Sequence, residues 1–181
     1  MRAFIFPGQG SQAVGMGAAL ADASRAAKDV FDEVDEALGQ NLFRLMREGP
    51  DEELKLTENA QPAIMANSIA VLRTMGVRLA DVASFVAGHS LGEYSALCAA
   101  GSFDLSTTAK LLRLRGQAMQ EAVPVGEGAM AALLGADLSL AQKIADAARS
   151  ELRAGLVRDR LSCEPLSGHL FLFCNAPSAI G

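Results

Sequence analysis

The stretch Phe85–Gly101, FVAGHSLGEYSALCAAG, constrains the fold of this chain more than any other segment. Its first three residues are apolar, as in a short buried strand, and residues 93–100 have the composition of a helix that Gly101 can end. Between them lies Gly88-His-Ser-Leu-Gly92, where glycine on both sides of Ser90 permits a sharp turn. The pattern predicts a strand, a tight turn and a helix, with the Ser90 hydroxyl exposed at the turn as a candidate nucleophile.

A second loop with two glycines follows the first apolar run of the chain. Residues 2–6 are predicted to form a buried strand, and Pro7-Gly-Gln-Gly-Ser-Gln12 comes directly after it. Alone, this loop is an ordinary connection from a strand to a helix. Open α/β folds, however, bind ligands at the carboxyl edge of the sheet, so the loop gains a functional meaning if Ser90 lies at the same edge.

Apolar residues at helical spacing predict several helices. The predicted helices cover residues 24–38, 42–46, 62–75, 105–122 and 138–148. Residues 51–57 are instead predicted to be a charged surface segment, and residues 128–134 a strand. Gln61 precedes Pro62 at a predicted helix start, where a capping role is favoured over a place in a pocket.

The helix predicted after Asp104, its expected N-cap, carries an arginine among apolar residues. One stripe of this helix contains Leu111, Arg115, Ala118, Met119 and Ala122, whereas Arg113 falls on the opposite, polar side. The Arg115 head group either reaches water past packed apolar neighbours or requires an anion from the protein or a substrate. Both interpretations stay open from the residues alone.

Composition and charge exclude several classes of function. The net charge of −5 provides no basic surface for nucleic acid. No apolar window is long enough for a membrane span, and the chain begins directly with a strand, so a cytoplasmic protein is expected. The three cysteines, Cys98, Cys163 and Cys174, lack the spacing of metal ligands, and no metal site is expected.

Taken together, the motifs resemble one family over residues 2–148. The matching segments are Phe6–Gln12, Gln61-Pro62, Gly88–Tyr94, Arg113–Gly116 with Met119-Gln120, and Gly128–Met130. The chain resembles the malonyl-CoA:acyl carrier protein transacylases of fatty acid synthesis and, more distantly, the acyltransferase domains of polyketide synthases.

The resemblance implies an α/β fold in three parts. Residues 1–124 would form part of an α/β-hydrolase-like parallel sheet with helices, and residues 125–149 the start of an inserted ferredoxin-like α+β subdomain. Residues 150–181 would be a divergent, poorly ordered tail. The resemblance ends near residue 149, which predicts a truncation or a change of reading frame in the source gene.

The resemblance also implies a reaction. Ser90 would accept a malonyl group from coenzyme A as an ester and pass it to the phosphopantetheine thiol of acyl carrier protein, without a cofactor. The backbone amides of Gln9 and Leu91 would form an oxyanion hole, and Arg115 would bind the malonyl carboxylate. The other residues that it places around the substrate are Gln61, Met119 and His89.

One family feature has no counterpart in this sequence, namely the catalytic histidine. The His89 side chain is expected to point away from the Ser90 hydroxyl, and His169 lies outside the family's histidine context. Without a general base, acyl transfer is expected to be nearly lost. Two alternatives remain: a serine esterase of the α/β-hydrolase type, which would need several strands before its nucleophile, and a non-catalytic thioester-binding fragment.

Overall fold

The structure is a computed structural model that describes residues 2–122 continuously and, beyond them, 128–133, 137, 139–140, 142–144, 146–147, 160–166 and 169–175. The chain forms two compact units, Met1–Met119 and Gln120–Gly181. The helices within residues 2–122 are α1 (Ala18–Ala23), α2 (Arg25–Leu38), α3 (Leu42–Glu48), α4 (Asp51–Lys55), α5 (Thr57–Thr74), α6 (Leu79–Val82), α7 (Leu91–Ala99) and α8 (Leu105–Ala122).

The first unit contains a small parallel sheet. Strand β1 (Ala3–Phe6) pairs with β2 (Phe85–Gly88), so that Phe6 is the partner of Gly88 and both strands end at the same edge. Parallel strands require a long crossover between them, and helices α1 to α6 provide it. Strands are confirmed at residues 2–6 and 85–87, but the prediction that they are buried was wrong, because Ile5 is 70% and Phe85 59% exposed on this two-stranded sheet. The condition set for the loop after β1, that Ser90 lies at the same edge, is met.

The core of this unit lies mainly between α2, α5 and the sheet. Its fully buried large side chains include Phe31, Met46, Leu54, Ile64, Met65, Leu91, Leu105 and Leu112. Phe31 also stacks on Phe43, with ring centroids 4.2 Å apart. Helix α2 confirms the helix that apolar spacing predicted over residues 24–38. Ser24 caps it by accepting a hydrogen bond from the Ala27 amide, and Gly39 ends it in the left-handed conformation.

The region before α5 differs from its prediction in two ways. Residues 51–55 lie at the surface as predicted, with Glu52, Glu53 and Lys55 exposed, but they form helix α4, in which Leu54 is fully buried. Helix α5 begins at Thr57, so Gln61 is not at a helix start and does not cap one. The polar run Thr57-Glu-Asn59 resembles a loop in sequence, but it forms the first turn of α5 beneath another helix.

The second unit contains an antiparallel sheet of three strands in the order β3-β5-β4. They are β3 (Gly128–Leu133), β4 (Arg160–Leu166) and β5 (His169–Asn175), and β3 agrees with the strand predicted there. Strands β4 and β5 lie in the segment 150–181, for which the sequence predicted no regular order. The predicted helix over 138–148 lies partly outside the described residues, and the predicted boundaries at 124 and 149 stay predictions.

Among the described residues, no helix is both long enough and apolar enough to cross a membrane. The same residues contain no group of three or more histidine, cysteine, aspartate or glutamate side chains placed to hold a metal ion.

Candidate active site

Ser90 lies in a strained turn between β2 and α7. Its φ of 55° and ψ of −113° place it outside the regions that side chains favour, and it is the one non-glycine residue with positive φ in the described chain. A Cβ on Gly88 would lie 1.9 Å from the Gly92 carbonyl carbon, and one on Gly92 would lie 2.4 Å from the Phe6 carbonyl oxygen. Only glycine fits at either position, and the predicted strand, turn and helix around Ser90 are confirmed.

The loop after β1 lies beside this turn. The His89 amide donates to the Phe6 carbonyl oxygen at 3.2 Å, which joins the end of β1 to the turn. A Cβ on Gly8 would approach His89 Nδ1 to 2.5 Å, so the imidazole lies directly against the loop. The Gln9 side-chain amide donates to Thr57 Oγ1 at 3.3 Å, which ties the same loop to the start of α5.

Helix α7 begins directly after Ser90, and two of its first backbone amides already have acceptors. The Gly92 amide donates to the His89 carbonyl at 2.9 Å and the Glu93 amide to the Ser90 carbonyl at 3.1 Å. Leu91 precedes them as the first residue of α7, and its side chain is fully buried in the core. Amides at this position of a helix usually lack an intrahelical acceptor, which is what an oxyanion site requires.

Arg115 extends from α8 to the Ser90 hydroxyl. Its Nη2 donates to Ser90 Oγ at 3.0 Å, and its Nη1 donates to Gln61 Oε1 at 2.8 Å. Gln61 is fully buried, and its Nε2 donates in turn to Met119 Sδ at 3.3 Å. The structure thus places four of the sequence-predicted site residues in one connected group, with Gln61 lining the site.

A glycine explains how α8 comes so close to α5. A Cβ on Gly116 would lie 2.5 Å from Glu58 Cα and 2.8 Å from the Thr57 carbonyl oxygen. The backbones of the two helices therefore touch at this point, with no side chain between them. This contact lies one residue from Arg115 and determines how near Arg115 comes to Gln61.

The charge of Arg115 has no protein counterion within the described part of the chain. Both of its hydrogen-bond partners, Ser90 and Gln61, are neutral, and its Cζ lies 6.0 Å from the Tyr94 ring centroid, the outer limit of a cation–π contact. No carboxylate of the described residues forms an ion pair with it. A half-buried guanidinium with only neutral partners is suited to bind an anion.

The sequence misplaced Arg113, which was predicted on the polar side of α8. Its Nη1 donates to Asn59 Oδ1 at 2.8 Å, its Nη2 donates to Gln40 Oε1, and its side chain is only 17% exposed. The buried stripe of α8 consists of Leu105, Thr108, Ala109, Leu112 and Gly116. It lies about one position away from the predicted stripe, because the close approach at Gly116 rotates the helix. Glycine carries no hydropathy signal that periodicity could detect.

The chain belongs to the acyl transferase domain family, whose model matches residues 3–151. Among its relatives, the malonyl CoA-acyl carrier protein transacylase of Bacillus subtilis strain 168 is 51% identical over 152 residues, which covers 82% of this chain and 47% of that protein. The predicted family resemblance is confirmed. The chain spans about half the length of the curated relatives it matches.

Solved structures agree with this membership. The acyl-carrier-protein S-malonyltransferase of Bartonella henselae is 48% identical and has a TM-score of 0.78, covering 97% of this chain and 55% of that one. A malonyl-transacylase solved in complex with a type II polyketide synthase acyl-carrier protein is 38% identical, with a TM-score of 0.75, covering 98% and 56%. The α/β fold is therefore that of these acyltransferases.

Proposed function

We propose that this chain carries the nucleophile and the acyl-binding residues of a malonyl transfer from coenzyme A to acyl carrier protein. The observation that carries the proposal is the Arg115 guanidinium, which lies 3.0 Å from Ser90 Oγ without a protein counterion in the described chain. A substrate carboxylate would supply that counterion. The names of the relatives support the same substrate and the same acceptor protein.

The spacing of these two groups suits a malonyl thioester. In malonate the reacting carbonyl carbon and the carboxylate carbon are separated by one methylene, about 2.5 Å for two C–C bonds of about 1.5 Å each. Because Ser90 Oγ and the Arg115 guanidinium are in hydrogen-bond contact, Ser90 can reach the carbonyl carbon of a malonyl group while Arg115 binds its carboxylate. Arg115 has five N–H donors, so a carboxylate can take two of them while Gln61 retains another.

The reaction would proceed by two exchanges at the same carbonyl carbon. Ser90 Oγ bonds to the thioester carbon and loses its proton, the C–S bond to coenzyme A breaks, and the sulfur leaves as a thiolate that is protonated. The carrier thiol then loses its proton and bonds to the ester carbon, the C–O bond to Ser90 breaks, and Ser90 Oγ regains a proton. The amides of Gln9 and Leu91 would hold the oxyanion in both steps, and no cofactor or metal ion enters the balance.

The proton acceptor for Ser90 is the missing part of this scheme. His89 is adjacent in sequence, but its ring lies against Gly8, so we assign it a packing role in the turn rather than that of a base. A positioned general base contributes about 10²- to 10⁴-fold. We therefore expect thioester binding of ordinary strength but slow acylation.

Intact-protein mass spectrometry tests the proposal. The chain is incubated with malonyl-CoA or acetyl-CoA, beside Ser90→Ala, Arg115→Met and, as a control for the loss of one charge from the same helix, Lys110→Met. We expect the wild type to form a malonyl adduct and Ser90→Ala to form none. Arg115→Met should lose the malonyl adduct but not an acetyl adduct, and Lys110→Met should label like the wild type.

Three outcomes would contradict the proposal. Adducts on Ser90→Ala would show that another residue is acylated. Equal labelling by both thioesters would remove the role of Arg115. Binding of malonyl-CoA without an ester at Ser90, even in long incubations, would favour the non-catalytic alternative.

Two finer points belong to the same proposal. We infer that residues 125–149 are the start of a ferredoxin-like α+β subdomain, supported by strand β3 and by its place in an antiparallel sheet. We also infer a cytoplasmic location, supported by three cysteines that are odd in number and lack the spacing of metal ligands.

A further inference from the structure

Arg113, two residues before Arg115, is anchored to the first turn of α5 and to the loop after α2. Its two terminal nitrogens donate to Asn59 Oδ1, at 2.8 Å, and to Gln40 Oε1, and its Nη1 lies 3.9 Å from Glu58 Oε2. Burial lowers the pKa of Arg113, and the nearby Glu58 carboxylate raises it in part. Neither the family motif nor the reaction scheme assigns this side chain a role.

The acceptors of Arg113 are themselves held in place. Asn59 is 3% exposed, and its Nδ2 donates to the Glu53 carbonyl oxygen at 2.9 Å. Gln40 Nε2 donates to Asn59 Oδ1 at 3.3 Å, so the two acceptors are also bound to each other. Arg113 therefore fastens α8 to the loop after α2 and to the first turn of α5.

The half of α8 that carries Arg115 has few other anchors, chiefly the 3.3 Å contacts of Gln117 Nε2 with Glu58 Oε2 and of Gln61 Nε2 with Met119 Sδ. Leu112 is its last fully buried large side chain. Beyond it, Leu114 is 63% exposed, Ala118 is exposed, and Gly116 meets α5 without a side chain. A contact between smooth backbones allows one helix to roll on the other, because no side chain interlocks with the opposite surface.

We propose that Arg113 is a positioning residue that prevents α8 from rolling about its Gly116 contact and so directs the Arg115 guanidinium at Ser90. Residues two apart on a helix differ in direction by about 200°, so Arg113 and Arg115 leave α8 on nearly opposite sides. Each holds the helix against a displacement that the other would allow. The effect on substrate choice rests on the proposed malonyl transfer, whereas the effect on the Arg115 position does not.

A small roll is sufficient to matter. With side chains an α-helix is about 10–12 Å wide, so a roll of about 10° moves a group at its surface by about 1 Å. The Arg115–Ser90 hydrogen bond of 3.0 Å would not survive such a shift. Misplacement by about 1 Å can reduce the rate of a positioned reaction by about 10²-fold.

Tyr94 provides a direct readout, because it is the single tyrosine of a chain without tryptophan, and Arg115 Cζ lies 6.0 Å from its ring centroid. The Tyr94 ring resonances are compared by NMR among the wild type, Arg113→Met and Arg115→Met, with Lys110→Met as the control for charge. We expect Arg113→Met to shift the ring signals in the same direction as Arg115→Met. Lys110→Met should leave them unchanged.

Substrate preference provides the second readout. In Arg113→Met the affinity for malonyl-CoA, relative to that for acetyl-CoA, should fall about ten-fold. Arg113→Lys keeps the charge but loses the two-pronged contact, so it should rescue only part of the preference. A role in stability alone would weaken binding of both thioesters equally. Gln40→Met removes one of the two acceptors of Arg113 at a partly exposed position, so it should give a smaller loss of the preference for malonyl-CoA. This variant provides the test if Arg113→Met does not fold.

The outcomes separate the two proposals. Wild-type Tyr94 signals and wild-type preference in Arg113→Met, or in Gln40→Met if that variant alone folds, would overturn the role of Arg113. If Arg115→Met changes the Tyr94 signals but wild-type protein does not distinguish malonyl-CoA from acetyl-CoA, the proposed function fails. The Tyr94 comparison would then still decide whether Arg113 positions Arg115.

Discussion

Replacing Gly116 by alanine should weaken the proposed acyl-binding site far more than it weakens the fold. The new Cβ would lie 2.5 Å from Glu58 Cα, 2.8 Å from the Glu58 amide nitrogen and 2.8 Å from the Thr57 carbonyl oxygen. All three atoms belong to the backbone of α5 and cannot rotate away. Because carbon atoms pack at about 3.5–4.0 Å, α8 must retreat by about 1 Å.

That retreat acts on two short hydrogen bonds. The Arg115 contacts with Gln61, 2.8 Å, and with Ser90, 3.0 Å, would lengthen to nearly 4 Å and cease to be hydrogen bonds. Overpacking costs about 1–3 kcal/mol. Alanine in place of glycine within a helix returns about 1 kcal/mol. We therefore expect the free energy of unfolding to fall by about 0–2 kcal/mol, too little to unfold the chain.

The loss of the aligned guanidinium should be measured as binding. A charge-assisted hydrogen bond contributes about 1.5–3 kcal/mol, which corresponds to about 10- to 150-fold in affinity. Calorimetric titration with malonyl-CoA should show that loss in Gly116→Ala but little change with acetyl-CoA, and urea denaturation should report the stability. Ala118→Leu, which adds volume on the exposed side of α8, should bind like the wild type. If Gly116→Ala binds malonyl-CoA as tightly as the wild type, α8 does not position Arg115 in the way argued.

Two further predictions concern the elements on either side of the site. The Asp104 carboxylate accepts from the Thr107 amide at 2.6 Å and from Thr107 Oγ1 at 2.9 Å, and these bonds lower the pKa of Asp104. The Asp104 carboxylate therefore stabilises the fold fully above the ordinary aspartate pKa of about 3.9, and this stabilisation is lost as pH falls through the lower pKa of the folded state. Asp104→Ala should lower the melting temperature at pH 7, and the difference from the wild type should shrink on acidification. Gly88→Ala would place a Cβ 1.9 Å from the Gly92 carbonyl, so we expect destabilisation by about 3 kcal/mol or more in urea denaturation, and a variant of wild-type stability would show that the turn is looser than the structure indicates.

Elements with a local signal were predicted well. The turn around Ser90 was found because glycine is required on both sides of a strained residue, and α2 because its apolar residues repeat at helical spacing between a serine cap and a terminal glycine. Helix α4 and the first turn of α5 were missed. Their residues are charged or polar, and they are helical because Leu54 and Asn59 are buried by distant parts of the chain.

The candidate site divides in the same way. The sequence alone predicted the candidate nucleophile Ser90 and an arginine facing inward, because each prediction depends on backbone conformation or periodicity within a few residues. The shared sheet edge was left open, because it depends on pairing between β1 and β2, which are far apart in the sequence. It left open whether the Arg115 head group reaches water or binds an anion, and it favoured the wrong role for Gln61. Those answers depend on groups 25 and 54 residues away along the chain, in Ser90 and Gln61.

Only the tertiary structure decided where α8 lies. A glycine that lets two backbones touch, and an arginine anchored to Asn59 and Gln40, determine the position and rotation of that helix. Neither contact has a signature within its own segment, because close approach and side-chain pairing exist only once both partners are folded. Local sequence patterns therefore indicate which residues belong to the candidate site, whereas the distances between those residues depend on how the helices pack.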